Sequence, residues 1–158
     1  MSISYFWKLE MKQLSKILAP AALLIIGCSD LSGPVAIDPE SLAGTWNAVT
    51  YVFFDKAEVN DAVDLVGLGA SLTITFTSDG KHTWDFRAVD GEATLVSGTF
   101  TTDDPLLTFS DVGAGTPEPF LAIRQENNLS LATGNAEFDF DGDGVVEDAQ
   151  WEIFLLRN

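Results

Sequence analysis

A single histidine, His82, and a single cysteine, Cys28, limit the chemistry open to this chain of 158 residues. The sequence has no His pair at metal-ligand spacing, no Cys pair, no Gly-x-Ser-x-Gly turn and no phosphate-binding loop. Its residue types therefore assemble neither a nucleophile with its base nor a transition-metal site. Carboxylates are in excess, with Asp+Glu 24 against Lys+Arg 8 and a net charge of -16. The densest run is Asp139, Asp141 and Asp143, alternating ahead of Gly144, with Glu137, Glu147 and Asp148 on either side. Three carboxylates at this spacing can converge on a hard cation once a glycine lets the backbone turn. The same Asp-Gly pairs also make ordinary hairpin turns, and such acids also serve as a solvated face. The chain is read as non-enzymatic. Its charge opposes nucleic acid, because phosphate contacts need Lys or Arg to displace counterions.

Asp139-Phe140-Asp141-Gly142-Asp143-Gly144 resembles the Asp-x-Asp-x-Asp-Gly opening of calcium loops. The resemblance implies Ca2+ held by Asp139, Asp141, Asp143, the Val145 carbonyl and Glu147. Gln150 stands where such loops carry a bidentate Glu, and strands rather than helices flank the run. No other cofactor is implied. His82 shares a strand face with Trp84 and Phe86 and so points inward near a rim. There it either meets a ligand or proton, or is a hydrogen-bonded histidine at a strand end.

Strands must position these groups. From Ala43 onward the apolar period is two: Leu72, Ile74 and Phe76 alternate with Ser and Thr, and His82, Trp84 and Phe86 alternate with polar residues after the turn Ser78-Asp79-Gly80. Asp90-Gly91, Asp103-Asp104-Pro105 and Glu126-Asn127-Asn128 supply further turns. Strands are expected at 45–54, 71–77, 81–87, 93–101, 106–110, 120–125, 129–141 and 151–156. With 46% hydrophobic residues and 11 Phe there is enough apolar surface for one packed domain. The fold class expected is all-β, an eight-stranded antiparallel up-and-down barrel, since closing a meander removes its exposed edges. One short helix is expected after the first strand, within 56–70, where Val59, Ala62, Val63 and Val66 fall at helical spacing behind Asn60. A Gly/Pro-rich loop covers 112–119.

Leu42-Ala43-Gly44-Thr45-Trp46 resembles the Gly-x-Trp opening of lipocalins and fatty-acid-binding proteins, and Arg157 follows the last strand. The resemblance implies a lipocalin-like barrel over 41–158 whose closed end is built by Gly44, Trp46 and Arg157. The alternation expects Trp46, Val52, Phe54, Leu72, Ile74, Phe76, Trp84, Phe86, Phe138, Phe140, Trp151 and Ile153 inside. Of these, Phe76, Trp84, Phe86, Phe138 and Phe140, with His82, are the candidate ligand contacts. A barrel of this size either fills itself with side chains or leaves room for one ligand, and the sequence is compatible with both. Acid carriers hold a carboxylate with inward basic residues, whereas Arg87 alternates outward. A neutral apolar ligand is therefore the expected one. The competing expectation is a packed barrel that acts as a protein-interaction module through its loops or rim. A monomer is expected.

Ahead of the barrel, the apolar run at 17–27 is too short to span a bilayer and follows Lys12 and Lys16, as in a secretory leader. Ile25-Ile26-Gly27-Cys28 resembles the lipobox of bacterial lipoproteins. It implies a signal peptide over 1–27, cleavage before Cys28 and acylation of that residue, palmitate included, with the membrane as partner through the lipid. Met11 is the expected true start, because it gives a leader of conventional length. Ser29 implies, by the same resemblance, the outer membrane, on either its periplasmic or its outer face. The stretch 28–40, rich in Ser, Asp, Pro and Gly, reads as a tether.

Overall fold

The computed structural model describes residues 37–58, 61–112 and 116–158. The leader, Cys28 and most of the tether lie outside these residues. A helical turn, α1 (Pro39–Leu42), precedes nine strands: β1 (Gly44–Asp55), β2 (Ala62–Asp64), β3 (Ser71–Phe76), β4 (Lys81–Arg87), β5 (Ala93–Asp103), β6 (Leu106–Asp111), β7 (Glu118–Gln125), β8 (Asn128–Phe138) and β9 (Glu147–Arg157). β1 pairs with β3, each later strand pairs antiparallel with the next, and β9 returns to β1. That closes an eight-stranded up-and-down barrel, as the alternation predicts, with β2 as a short supplement on β1. The tight turns depend on glycines at positive φ, Gly80 at 79° and Gly91 at 91°, a region that other residues enter at a cost. We call the end where β1 begins the lower end and the end where β1 finishes the mouth.

Two irregularities re-aim side chains. β1 changes register on β9 between Ala48 and Thr50, which leaves Val49 as a bulge. Trp46 is buried before the bulge, and Tyr51, Phe53 and Asp55 are buried after it. Val52 and Phe54, expected inside from unbroken alternation, are therefore only half-buried. One extra residue shifts every later side chain to the other face. β8 shifts likewise between Thr133 and Ala136, so Leu129 and Leu131 and then Phe138 all reach the core.

The helix expected within 56–70 is not what the described residues of that segment form, Val59 and Asn60 lying outside them. Val63, placed on the helical spacing, belongs to β2, and a turn over 65–69 follows. Asp64 decides this: its Oδ1 accepts hydrogen bonds from Tyr51 N (3.0 Å) and Val66 N (3.1 Å), pinning the segment to β1. The short helix instead stands before β1. Asp38 and Ser41 form a reciprocal capping box, and Pro39 occupies the first turn. Ile37 is buried in the core, so residues 37–40, which composition assigns to the tether, belong to the folded unit.

Burial is uneven around the barrel: on the side of β1, β3, β8 and β9 it continues to the mouth, with Tyr51, Phe53, Leu72, Phe138 and Ala149 buried. Near the lower end Leu42, Trp46, Ile74, Leu107, Leu129 and Leu155 are fully buried. Toward the mouth, the inward residues Trp84 and Phe86 of β4, Thr94 and Val96 of β5, Asp111 of β6 and Glu118 of β7 are only half-buried.

Candidate functional site

The lower end is a plug made from the residues that the Gly-x-Trp resemblance singles out. Trp46 donates its indole N–H to the Leu42 carbonyl at 2.8 Å, satisfying one of the carbonyls that a helix end leaves without a partner. The Arg157 guanidinium lies 4.5 Å over the Trp46 ring and donates from Nη2 to the Ser41 carbonyl. Gly44 sits beneath that side chain: a Cβ there would lie 3.6 Å from Arg157 Nε, at a φ of 137° that L side chains rarely adopt. Burial, and secondarily the charge of Arg124, lowers the pKa of Arg157. The basic side chains facing inward thus collect at this end. This end is packed: Leu42 and Trp46 are fully buried.

Rings occupy the barrel between plug and mouth. Phe76, one of the expected ligand contacts, lies in the sealed half, packed edge-on against Phe100 at 5.1 Å. Phe138 stacks on Phe53 at 4.7 Å, and Phe140, beyond the end of β8, packs on Phe138 at 4.9 Å. Trp84 stands centrally, 5.2 Å from Phe109 and 6.2 Å from Trp151, both edge-on. Tyr51 links Trp151 at 5.3 Å to Phe86 at 6.1 Å. Of the expected contacts, Trp84 and Phe86 are half-buried, His82 and its cross-strand partner Phe76 are buried around Phe109, and Phe138 and Phe140 pack beside Phe53.

His82 is 2% exposed, its ring edge-on to Phe109 at 4.8 Å. Space for it comes from Gly98, its cross-strand partner on β5. A Cβ at Gly98 would fall 2.8 Å from His82 Nε2 and 2.2 Å from the Ser110 carbonyl, so only glycine fits between these strands. Nε2 stands 3.2 Å from Asp111 Oδ1, yet neither ring nitrogen makes an aligned hydrogen bond. Asp111 and Glu118 both face inward, at the end of β6 and the start of β7. Burial first, and the neighbouring Asp111 carboxylate second, push the Glu118 pKa upward. Burial, and then the Glu118 charge, push that of Tyr51 upward. The mouth therefore carries a convergent set, His82, Asp111, Glu118 and Tyr51, beside the half-buried Trp84. Sequence reasoning missed both acids and the tyrosine. Parity held the signal for the acids: Asp111 continues the inward series Leu107, Phe109, and Glu118 precedes Phe120, Ala122. The expected strands stopped short of both. Tyr51 was hidden by the bulge.

The acidic hairpin lies apart from the mouth set, between β8 and β9. Carboxylate oxygens of Asp139, Asp141 and Asp143 come within 4.8 Å of one another. Each also accepts backbone N–H groups: Asp139 from Gly142 (2.7 Å) and Gly144 (2.9 Å), Asp141 from Asp143 (3.0 Å), Asp143 from Val145 (2.7 Å). Glu147 is turned elsewhere, accepting from Phe140 N at 3.0 Å. The donor set is thus three carboxylates in a loop that its own amides hold in shape.

No protein-family model matches the chain, and no curated protein does. Among solved structures the chain is similar to apocrustacyanin C2, at 14% identity and a TM-score of 0.41, over 75% of this chain and 61% of that one. The chain thus spans less than two thirds of that protein's length.

Proposed function

We propose that this chain is a non-catalytic binding protein that takes a small, largely apolar molecule through the mouth of its barrel. We further propose that a lipid on Cys28 holds it at the bacterial outer membrane. The observation that carries the binding reading is local: on the β4–β7 side of the mouth the inward residues Trp84, Phe86 and Val96 stay half-buried, while the rest of the interior is packed. Concave sites of this kind, apolar with a few converging polar groups, are where small ligands bind. Basic inward side chains sit at the plug, which argues against an acid headgroup in the mouth. Uptake of a neutral environment-sensitive naphthalene dye tests the reading. One saturable site per chain is expected, and Val96→Trp, which adds bulk to the mouth, should abolish uptake while the circular dichroism spectrum stays unchanged. A folded protein that takes up no dye overturns it.

A second reading, the interaction module, draws on the outer wall. Leu106 and Leu121 are cross-strand partners, 41% and 47% exposed, and Ile123 beside them is 46% exposed. A hollow of about 220 Å³ adjoins this wall, lined by Leu121, Thr133, Gly134 and Trp151 among others. Leu121→Lys together with Ile123→Lys should abolish partner capture and leave dye uptake intact if this wall is the working surface.

A further inference from the structure

The mouth has an electrical sign, and it is opposite to that of the plug. We propose that its ligand is an organic cation: an amine with an apolar body, whose ammonium group is received by Asp111 and Glu118 and whose body lies against Trp84. This deepens the carrier reading above and rests on it.

Three observations converge. First, Asp111 and Glu118 face the barrel interior on adjacent strands, each within the other's field. Among the described residues neither makes an ion pair with Lys or Arg. Asp111 has only the His82 imidazole beside it, and two neighbouring carboxylates drawn partly out of water carry an unfavourable energy that a bound ammonium group relieves. Second, His82 is buried beside Asp111 with both ring nitrogens lacking an aligned hydrogen bond, its Nε2 standing 3.2 Å from Asp111 Oδ1. Buried polar groups left in this state are rare in native proteins and mark places where a further partner belongs. Third, the half-buried residues beside the acids include Trp84, and an indole ring attracts a cation as well as an apolar body. A net charge of -16 adds a long-range field that draws cations and repels anions. The expected neutral ligand is thus refined to a charged one. A free small amine fits the carrier reading; an ammonium group borne by a lipid headgroup offers the same chemistry.

Three probes with one aromatic body separate these ideas: naphthylmethylamine, naphthalenemethanol and naphthoate, titrated by calorimetry into the full chain. The amine should bind at least about ten-fold more tightly than the alcohol, with naphthoate weakest. The isosteric pair Asp111→Asn and Glu118→Gln should erase that preference and leave alcohol binding unchanged, with the melting transition confirming a folded barrel. Added NaCl should weaken the amine alone. Displacement of the amine by phosphatidylethanolamine vesicles assigns the cation to a lipid headgroup, and failure to displace assigns it to a free amine; both outcomes uphold the proposal. Equal binding of amine and alcohol to the unaltered protein overturns the cation and leaves the carrier reading standing. Binding of none of the three overturns both.

Discussion

Trp46 does three jobs at once: it fills the lower end, satisfies the Leu42 carbonyl and supplies the surface on which Arg157 rests. Trp46→Ala should therefore cost about 3–5 kcal/mol in urea unfolding, the usual range for a large ring removed from a core. A cost under about 0.5 kcal/mol would place the ring outside the core. Glu118 acts in the opposite sense. Burial and Asp111 raise its pKa in the folded protein, so over the interval just above the ordinary glutamate range the native state holds a proton that the unfolded chain has released. Stability contributed by this group is consequently lost as pH rises through that interval, and the ionised carboxylate is a standing cost at neutral pH. Glu118→Gln should raise the melting temperature at neutral pH and flatten the fall in stability as pH rises above the ordinary glutamate range. Parallel pH profiles for the two proteins would count against an inward, half-buried Glu118.

At the level of elements, the bulge at Val49 makes a claim that plain alternation contradicts. Phe53, 2% exposed and stacked on Phe138, should cost about 3–5 kcal/mol when replaced by Ala, whereas Phe54→Ala should cost less than half as much. The reverse order would mean that β1 runs without its bulge. The β8–β9 hairpin poses a different question, since its carboxylates converge and yet already hold the loop through backbone amides. On the calcium-loop resemblance, millimolar CaCl2 is expected to raise the melting temperature beyond NaCl of matched ionic strength. Binding to the folded state adds about 2.7 kcal/mol at a hundred times Kd. Asp141→Asn should remove the calcium-specific part alone. Identical responses to the two salts would leave a hydrogen-bonded turn and no ion site.

For the molecule as a whole, closure matters most. β9 returning to β1 removes the edges that an open eight-stranded meander would expose, so the barrel holds itself together with no disulfide, the single cysteine being Cys28. A surface of this charge repels anionic headgroups, so the proposed attachment to a membrane rests on the proposed lipid at Cys28. Cys28→Ser should abolish incorporation of labelled palmitate and move the protein from the membrane pellet to the supernatant. Unchanged labelling would remove the anchor from the proposed function.

Parity and turn chemistry by themselves determined that the chain is a meander of eight strands. Side-chain direction in a strand follows from odd and even position, and an Asp-Gly turn acts within a few residues. The closing trio Gly44, Trp46 and Arg157 was legible too, from a short motif and its place relative to the last strand. What parity could not carry was the one-residue insertion at Val49, because a bulge is chosen by register on a partner strand far along the chain. That choice alone turned Tyr51 and Phe53 inward and Val52 and Phe54 away. The helical spacing at 62–66 was real in the sequence, but hydrogen bonds from Tyr51 and Val66 to Asp64 drew the segment into β2 instead. The pairing of Asp111 with Glu118 likewise has no local signature. It arises because β6 and β7 meet in a register that sets Phe109 opposite Glu118, while the pairing of β4 with β5 and of β5 with β6 sets His82 and Asp111 on either side of Gly98.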